Sequence, residues 1–192
     1  AMLSDALHLP RIDVGELINR HVGLGDDLGQ EIKQVLLDGE EIPAPLSAEL
    51  IADESRRYVK LGTPDQRYGV QTGWVLDNFP NTSDQVAALA AKGICPDVTV
   101  VLRADANALA SLVESMDPHA DSPLLPDRIQ EFTTSFPDLR ESLVASGSRV
   151  AAEISVTSMT PHDVHGTIMQ GILPYCQIPL EIEEDLTTRP PI

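Results

Sequence analysis

The sequence predicts an α/β domain, a three-layer arrangement of a parallel sheet with helices on both faces. Three observations predict it. Short apolar runs at Trp74–Leu76, Val98–Leu102 and Val150–Val156 alternate with longer stretches of helical period. Val98–Leu102 is continuous and β-branched, the pattern of a strand buried on both faces. Gly73–Asp77 ends in a carboxylate, then breaks at Asn78-Phe79-Pro80-Asn81-Thr82 before a helix start at Ser83. A strand that delivers one side chain to its C-terminal end and then stops is how open α/β sheets present a group to a ligand crevice. The alternation of strands and helices implies right-handed crossovers.

In chain order, residues 2–9 read as the end of a helix stopped by Pro10, and Arg11–Val14 as a short strand. Gly15 opens a helix with Glu16 in its first turn and Leu17, Ile18 and Val22 apolar; Gly23 and Gly25 break it. Asp26 or Asp27 caps the next helix, Leu28–Leu37, whose residues Leu28, Ile32, Val35 and Leu36 share one face, and Gly39 ends it. Ser47 is the expected cap of a helix running to Arg57. Residues 61–72 read as loop. The helix from Ser83 to Ala91 closes at Lys92-Gly93, and Asn107–Met116 is helical. Residues 117–126 read as loop. Two helices, Asp127–Phe136 and Leu139–Ser146, flank Pro137. After the Val150–Val156 strand, Thr160-Pro161 is a cap followed by a first-turn proline, and that helix runs to Leu173. In the tail, Gln177–Ile182 has the composition of a strand, but Pro179 confines it to an edge.

Composition bounds the function. The chain has 192 residues, enough for one α/β core, and its aromatic content of 4% leaves Leu, Val, Ile and Ala to build that core. A formal net charge of −17 argues against nucleic acid or an anionic membrane surface as partner. No apolar run approaches the roughly 20 residues that span a bilayer. Cys95 and Cys176 fit no metal-ligand spacing and read as reduced thiols of a cytoplasmic protein. His162 and His165 lack a third ligand nearby, so their stretch reads as a solvated first helical turn. Ala1 ahead of Met2 has the look of an added residue, and the chain reads as a piece of something longer.

Several segments, in order, resemble adenylate kinases and related nucleoside monophosphate kinases. Asp77-Asn78-Phe79-Pro80-Asn81-Thr82 is similar to that family's Asp-Gly-Phe-Pro-Arg-Thr segment. Arg11-Ile-Asp-Val-Gly-Glu-Leu-Ile resembles its strand and Ser-Thr-Gly-Asp-Leu-Leu turn. Leu28-Gly-Gln-Glu-Ile and Leu37-Asp-Gly-Glu-Glu-Ile-Pro resemble its monophosphate-binding helices. Asp127-Arg-Ile-Gln-Glu-Phe resembles the helix after the lid. The resemblance covers residues 3–173. It implies one domain over 1–173, with 15–60 as the monophosphate-binding helices and 174–192 as an extension or linker.

The resemblance assigns vestigial nucleotide-binding positions to Gly15, to Ile42 and Pro43 beside the adenine, to Asp77, Asn78 and Phe79 at the strand end, and to Gln85 at the adenine edge. Asp77 reads equally as a carboxylate in the water shell of nucleotide-bound Mg²⁺ and as a structural end-of-strand residue. The departures all touch charge. The family's arginines are replaced by Asn19 and Asn81, and its turn threonine by Val14. Residues 113–126 carry His119 and Asp121 in place of the lid's arginines. No Gly-x-x-x-x-Gly-Lys loop occurs in the 192 residues. Phosphoryl transfer rests on positioning and on stabilisation of developing charge. The implied function is therefore a non-catalytic module that binds proteins within a larger assembly, similar to the adenylate-kinase-like modules of ciliary and flagellar proteins, with the axoneme as its setting. No catalytic residue, metal site or cofactor is assigned. ATP, AMP and Mg²⁺ enter only if nucleotide binding survives. Two rivals stay open: part of an active kinase completed by a phosphate loop elsewhere, and a sensor that binds AMP without turnover.

In the family, the first strand and phosphate loop would lie immediately before Ala1, at the centre of the sheet. The expectation is that the Gly73–Asp77 and Val98–Leu102 strands pair directly, or that another segment, with Gln177–Ile182 a candidate, fills the gap between them.

Overall fold

The computed structural model describes residues 2–61, 73–105, 125–157 and 159–175. The elements follow one another as α1 (Met2–Leu7), β1 (Arg11–Asp13), α2 (Val14–Leu24), α3 (Asp27–Leu37), α4 (Ala44–Leu61), β2 (Val75–Asp77), α5 (Ser83–Ala91), β3 (Val98–Arg103), α6 (Leu125–Ala145), β4 (Arg149–Ser155) and α7 (Pro161–Ile172). A 3₁₀ turn, Leu173–Tyr175, closes the described chain. The fold is mixed helix and strand with small parallel sheets. No helix among the described residues is long and apolar enough to cross a membrane.

Capping chemistry sets most of the helix boundaries. Asp13 accepts a hydrogen bond from the Glu16 N–H and starts α2; Gly25, in the left-handed region at φ 67°, ends it. Asp26 accepts from the Gly29 N–H and starts α3. Thr82 caps α5. Thr160 and Asp163 form a reciprocal capping box at α7, with Pro161 in its first turn. The α2–α3 hairpin closes on a glycine. A Cβ on Gly29 would sit 2.0 Å from the His21 carbonyl oxygen, so the two backbones meet where no side chain fits.

Two expectations about helices differ from the structure, and a third is not tested by it. Helix α4 begins at Ala44, and Ser47 is buried inside it. The Pro43 carbonyl accepts from the N–H groups of Leu46 and Ser47, and Pro45 lies in the first turn, where no donor is needed. The two helices expected around Pro137 are one, α6, with Pro137 inside. An internal proline costs about 3 kcal/mol. Phe136, Leu139 and Leu143 are buried in one cluster on either side of it, which offsets that cost. The expected Asn107–Met116 helix lies outside the described residues.

Among the described residues, the pairing is parallel. Strand β1 pairs β2 with Arg11, Ile12 and Asp13 opposite Val75, Leu76 and Asp77. Strand β3 pairs β4, with an irregularity between Thr99 and Val100. These are two separate two-stranded sheets, and among the described residues β2 and β3 do not pair. The expectation of direct pairing is thereby corrected, while Gln177–Ile182 lies outside the described residues. The burial expected of Val98–Leu102 is corrected too: Val101 is buried, but Leu102 is 50% exposed and the others are half-buried. Strands of a parallel sheet are covered on both faces, and among the described residues β3 pairs with β4 alone.

Among the described residues, the core falls into three clusters. Ile12, Ile32, Leu50 and Ile51 centre the first, with Trp74, Leu76 and Phe79 packed against it. Val86, Val101, Phe136, Leu139 and Leu143 form the second. Leu7, Ile154, Ile168 and Ile172 form the third, joined by Val75 from β2 and by Val98 and Val100 from β3. Strands β2 and β3 thus reach one shared cluster from separate sheets.

Candidate functional site

The parallel register of β1 and β2 places Asp13 opposite Asp77 at the C-terminal ends of the strands. Two carboxylates meeting there need a cation, and Arg11 provides it. Its Nη1 donates to Asp77 Oδ2 at 2.7 Å and to Asp13 Oδ2 at 3.2 Å, and its Nη2 donates to Glu16 Oε1. The hydrogen bond to Asp77, outweighing partial desolvation, raises the guanidinium further above its ordinary value. Arg11 and Asp13 stand two residues apart on a strand and so share a face. Glu16 follows in the first turn of α2. Sequence reading passed over Arg11 as the partner of Asp77, although the i, i+2 spacing on β1 was a signal for it.

Asp77 is half exposed at the end of β2. Asn78 follows in the left-handed region at φ 58°, which Asn tolerates better than other side chains, and a cis peptide joins Phe79 to Pro80. Phe79 turns inward against the first cluster, as does Ile42. Gly15 is the second residue of α2; a Cβ there would lie 3.2 Å from Asp13 Oδ1, tight against the carboxylate that caps the helix. Pro43 is exposed, with its carbonyl committed to the start of α4.

Gln85 has a local task. Its Oε1 accepts from the Asn81 N–H at 2.6 Å, while its own N–H donates to the Thr82 hydroxyl at 3.3 Å. Asn81 in turn donates from Nδ2 to the Asn78 carbonyl at 2.9 Å. Asn81 and Gln85 therefore tie the turn after β2 to the first turn of α5. Trp74, directly before β2, packs against the first cluster as core.

A second cation near the helical hairpin is also committed. Arg20 on α2 donates through Nη1 and Nη2 to Glu54 on α4. Tyr58 donates to Glu54 at 2.7 Å and Arg57 at 3.1 Å. Burial pushes the Glu54 carboxyl up, but the hydrogen bonds from Arg20, Tyr58 and Arg57 outweigh it and hold it at about 2. The Arg20 Nε is buried with no partner, a sign of how closely the guanidinium is packed. Arg20 follows Asn19 directly in α2 and faces Glu54 on α4.

The structure thus places the predicted residues in three settings. Gly15 and Asp77 lie beside the Arg11 carboxylate cage, and Asn78 follows Asp77 directly. Ile42 and Phe79 share the first hydrophobic cluster. Gln85 belongs to the turn between β2 and α5. Among the described residues, no group of three His, Cys, Asp or Glu is placed to hold a metal ion. Asp163, between the two histidines of α7, is taken by the capping box, where hydrogen bonds to Thr160 lower its carboxyl below the usual range.

No family model matches the chain. Curated relatives match part of it. Over 87 residues the chain is 34% identical to the adenylate kinase of Mycobacterium tuberculosis, covering 45% of this chain and 42% of that protein. Over 99 residues it is 30% identical to the adenylate kinase of Mycobacteroides abscessus, covering 52% of this chain and 49% of that protein. It is 33% identical over 87 residues to that of Mycolicibacterium smegmatis, with the same coverage as the first. The chain spans about half the length of the curated relatives it matches, and over about half of its own length it is adenylate-kinase-like.

Proposed function

We infer that this chain is a nucleoside-monophosphate-kinase-like domain that transfers no phosphoryl group by itself and serves as a structural, protein-binding module of a larger assembly. The observation that supports this reading is the commitment of the cations. Arg11 is enclosed by Asp13, Glu16 and Asp77, and Arg20 is paired with Glu54. Asn19 and Asn81 stand where the resemblance calls for arginine. A transferring phosphoryl group spreads negative charge over three oxygens and needs free cations around it. Here the cations near β1, β2 and α2 already neutralise the protein's own carboxylates. On this reading the domain runs over 1–173, with 174–192 as an extension, and the sheet lies between α2–α6 on one face and α1 and α7 on the other. The resemblance suggests the axoneme of a cilium or flagellum as the setting.

A calorimetric titration with AMP, with ATP–Mg²⁺ and with a bisubstrate adenosine polyphosphate tests the reading. No heat from a folded sample, and no ADP formed from ATP and AMP, is the expected result. Micromolar binding of AMP without turnover would replace it with a sensor that uses Ile42, Pro43 and Gln85. Its similarity to adenylate kinases favours a second reading, a portion of an active kinase whose phosphate loop lies outside these residues. A Gly-x-x-x-x-Gly-Lys run ahead of residue 1 in the natural polypeptide, with turnover by that longer chain, would establish the kinase and end the non-catalytic reading.

A further inference from the structure

Helix α3 ends in a turn whose outer side combines leucines and carboxylates. The Gly39 N–H donates to the Leu36 carbonyl at 3.2 Å, and the Glu40 N–H donates to the Val35 carbonyl at 3.1 Å. Gly39 itself is in the left-handed region at φ 72°. Together these make a Schellman motif, in which an apolar residue after the glycine commonly folds back on the last turn of the helix. Here that residue is Glu40, and it is exposed. In the last turn Leu37 is 71% exposed and Leu36 is 49% exposed.

Neither choice of residue serves the fold. Helix α3 packs through Gly29 and Ile32, which are buried. Leu37 comes five residues after Ile32, about 140° round the helix, so the core makes no demand for a leucine there. Leaving such a side chain in water forgoes about 1.5–3 kcal/mol. The helix C-terminus carries the negative end of the dipole and favours cations. The last turn of α3 has no basic residue, and Asp38, Glu40 and Glu41 follow it, all exposed. Gln34 holds the Asp38 carboxylate in place, donating from Nε2 at 3.0 Å. Lys33 is the one Lys or Arg between His21 and Ser55. Exposed leucines and anions that oppose the dipole thus coincide at a single turn.

We propose that the C-terminal turn of α3 is a docking surface for a basic segment of a partner protein, one that carries leucine-like anchors flanked by Lys or Arg. Leu36 and Leu37 receive the apolar anchors. Asp38, Glu40 and Glu41 pair with the flanking cations, which also complement the negative end of the helix. A second copy is a poor occupant, because each chain carries a formal net charge of −17. The chain's own Glu181-Ile-Glu-Glu-Asp stretch is acidic and is repelled for the same reason. The proposal rests on the reading of this chain as a protein-binding module and names the surface and the kind of partner.

The test uses the full chain and a fluorescent peptide, Lys-Arg-Leu-Lys-Leu-Leu-Arg-Lys, beside the same peptide with serine for each leucine. At physiological salt, anisotropy is expected to show binding at least about tenfold tighter for the leucine peptide. Leu37→Ser should weaken that binding about tenfold and leave the melting temperature unchanged, since the side chain it removes is already in water. Glu40→Lys with Glu41→Lys should also weaken it about tenfold or more. Asp138→Lys with Glu141→Lys makes the same change of net charge on α6 and should alter it by less than about twofold. Equal binding of the two peptides, equal effects of the two charge reversals, or no effect of Leu37→Ser would overturn the proposal and mark the peptide as a nonspecific counter-ion. Self-association of the chain that Leu37→Ser abolishes would overturn it in favour of a second copy. Turnover of ATP and AMP would remove the non-catalytic reading while leaving the peptide result to stand or fall by itself.

Discussion

Arg11 and Asp77 lie 66 residues apart in sequence and meet at 2.7 Å across the parallel pair β1–β2. Asp77, the residue through which the sequence most suggests Mg²⁺ chemistry, has a guanidinium against it. Asp13 and Glu16 complete the cage, so three carboxylates depend on one cation.

Replacing Arg11 with Ala should lower the melting temperature most at low salt. The loss should shrink with added salt, because the released repulsion is electrostatic and exposed. Melting curves across a salt series check this. A loss independent of salt would mean that Arg11 acts through packing.

Glu54 predicts a different pH signature. Its folded carboxyl sits at about 2, below its ordinary 4.5. A depressed acid contributes stability that is fully present above the unfolded value and is lost as pH falls through the folded one. Glu54→Ala should therefore cost about 3 kcal/mol near neutrality, since it leaves Arg20 without its partner. Its penalty should fade as pH drops from 4.5 toward 2. Urea unfolding of both proteins across that window measures the difference.

Two glycines make an internally controlled pair. Gly29→Ala drives a Cβ into the His21 backbone at 2.0 Å and should cost about 3 kcal/mol or more. Gly23→Ala meets nothing within 4 Å and lies in helix α2, so it should be neutral or stabilise by about 0.5–1 kcal/mol. Chemical denaturation of the two variants separates a helix crossing from a mere helix breaker.

Gln85→Leu removes the acceptor for the Asn81 N–H and should cost about 1 kcal/mol of stability. On the non-catalytic reading it changes no nucleotide affinity. Weaker AMP binding in the variant, measured calorimetrically, would instead give Gln85 the adenine-reading task.

Thr160→Ala dismantles the capping box of α7 and should cost about 1 kcal/mol. Helix α7 carries Ile168 and Ile172 into the third cluster, so exchange should quicken there first.

Local chemistry was legible wherever one residue acts on its near neighbours. The Asp26, Thr160 and Pro161 signals placed helix starts, and the Gly73–Asp77 pattern placed β2 within two residues of its observed start. Where a boundary depended on competition between distant groups, the sequence misled. Pro137 reads as a break, but Phe136, Leu139 and Leu143 bury against β3 and α5 and carry α6 through it. Ser47 is a local misreading: it has the chemistry of a cap, but the Pro43 carbonyl starts the helix a turn earlier.

By itself, then, the sequence determined the mixed helix-and-strand class, most of the caps and the turn after β2, because each follows from local pattern, and its composition set the low count of 13 Lys and Arg. Tertiary structure alone decided what Arg11 and Arg20 face and which strands pair with which among the described residues. Those outcomes depend on register and on which helices cover which strands, and long-range geometry of that kind leaves no period in the chain.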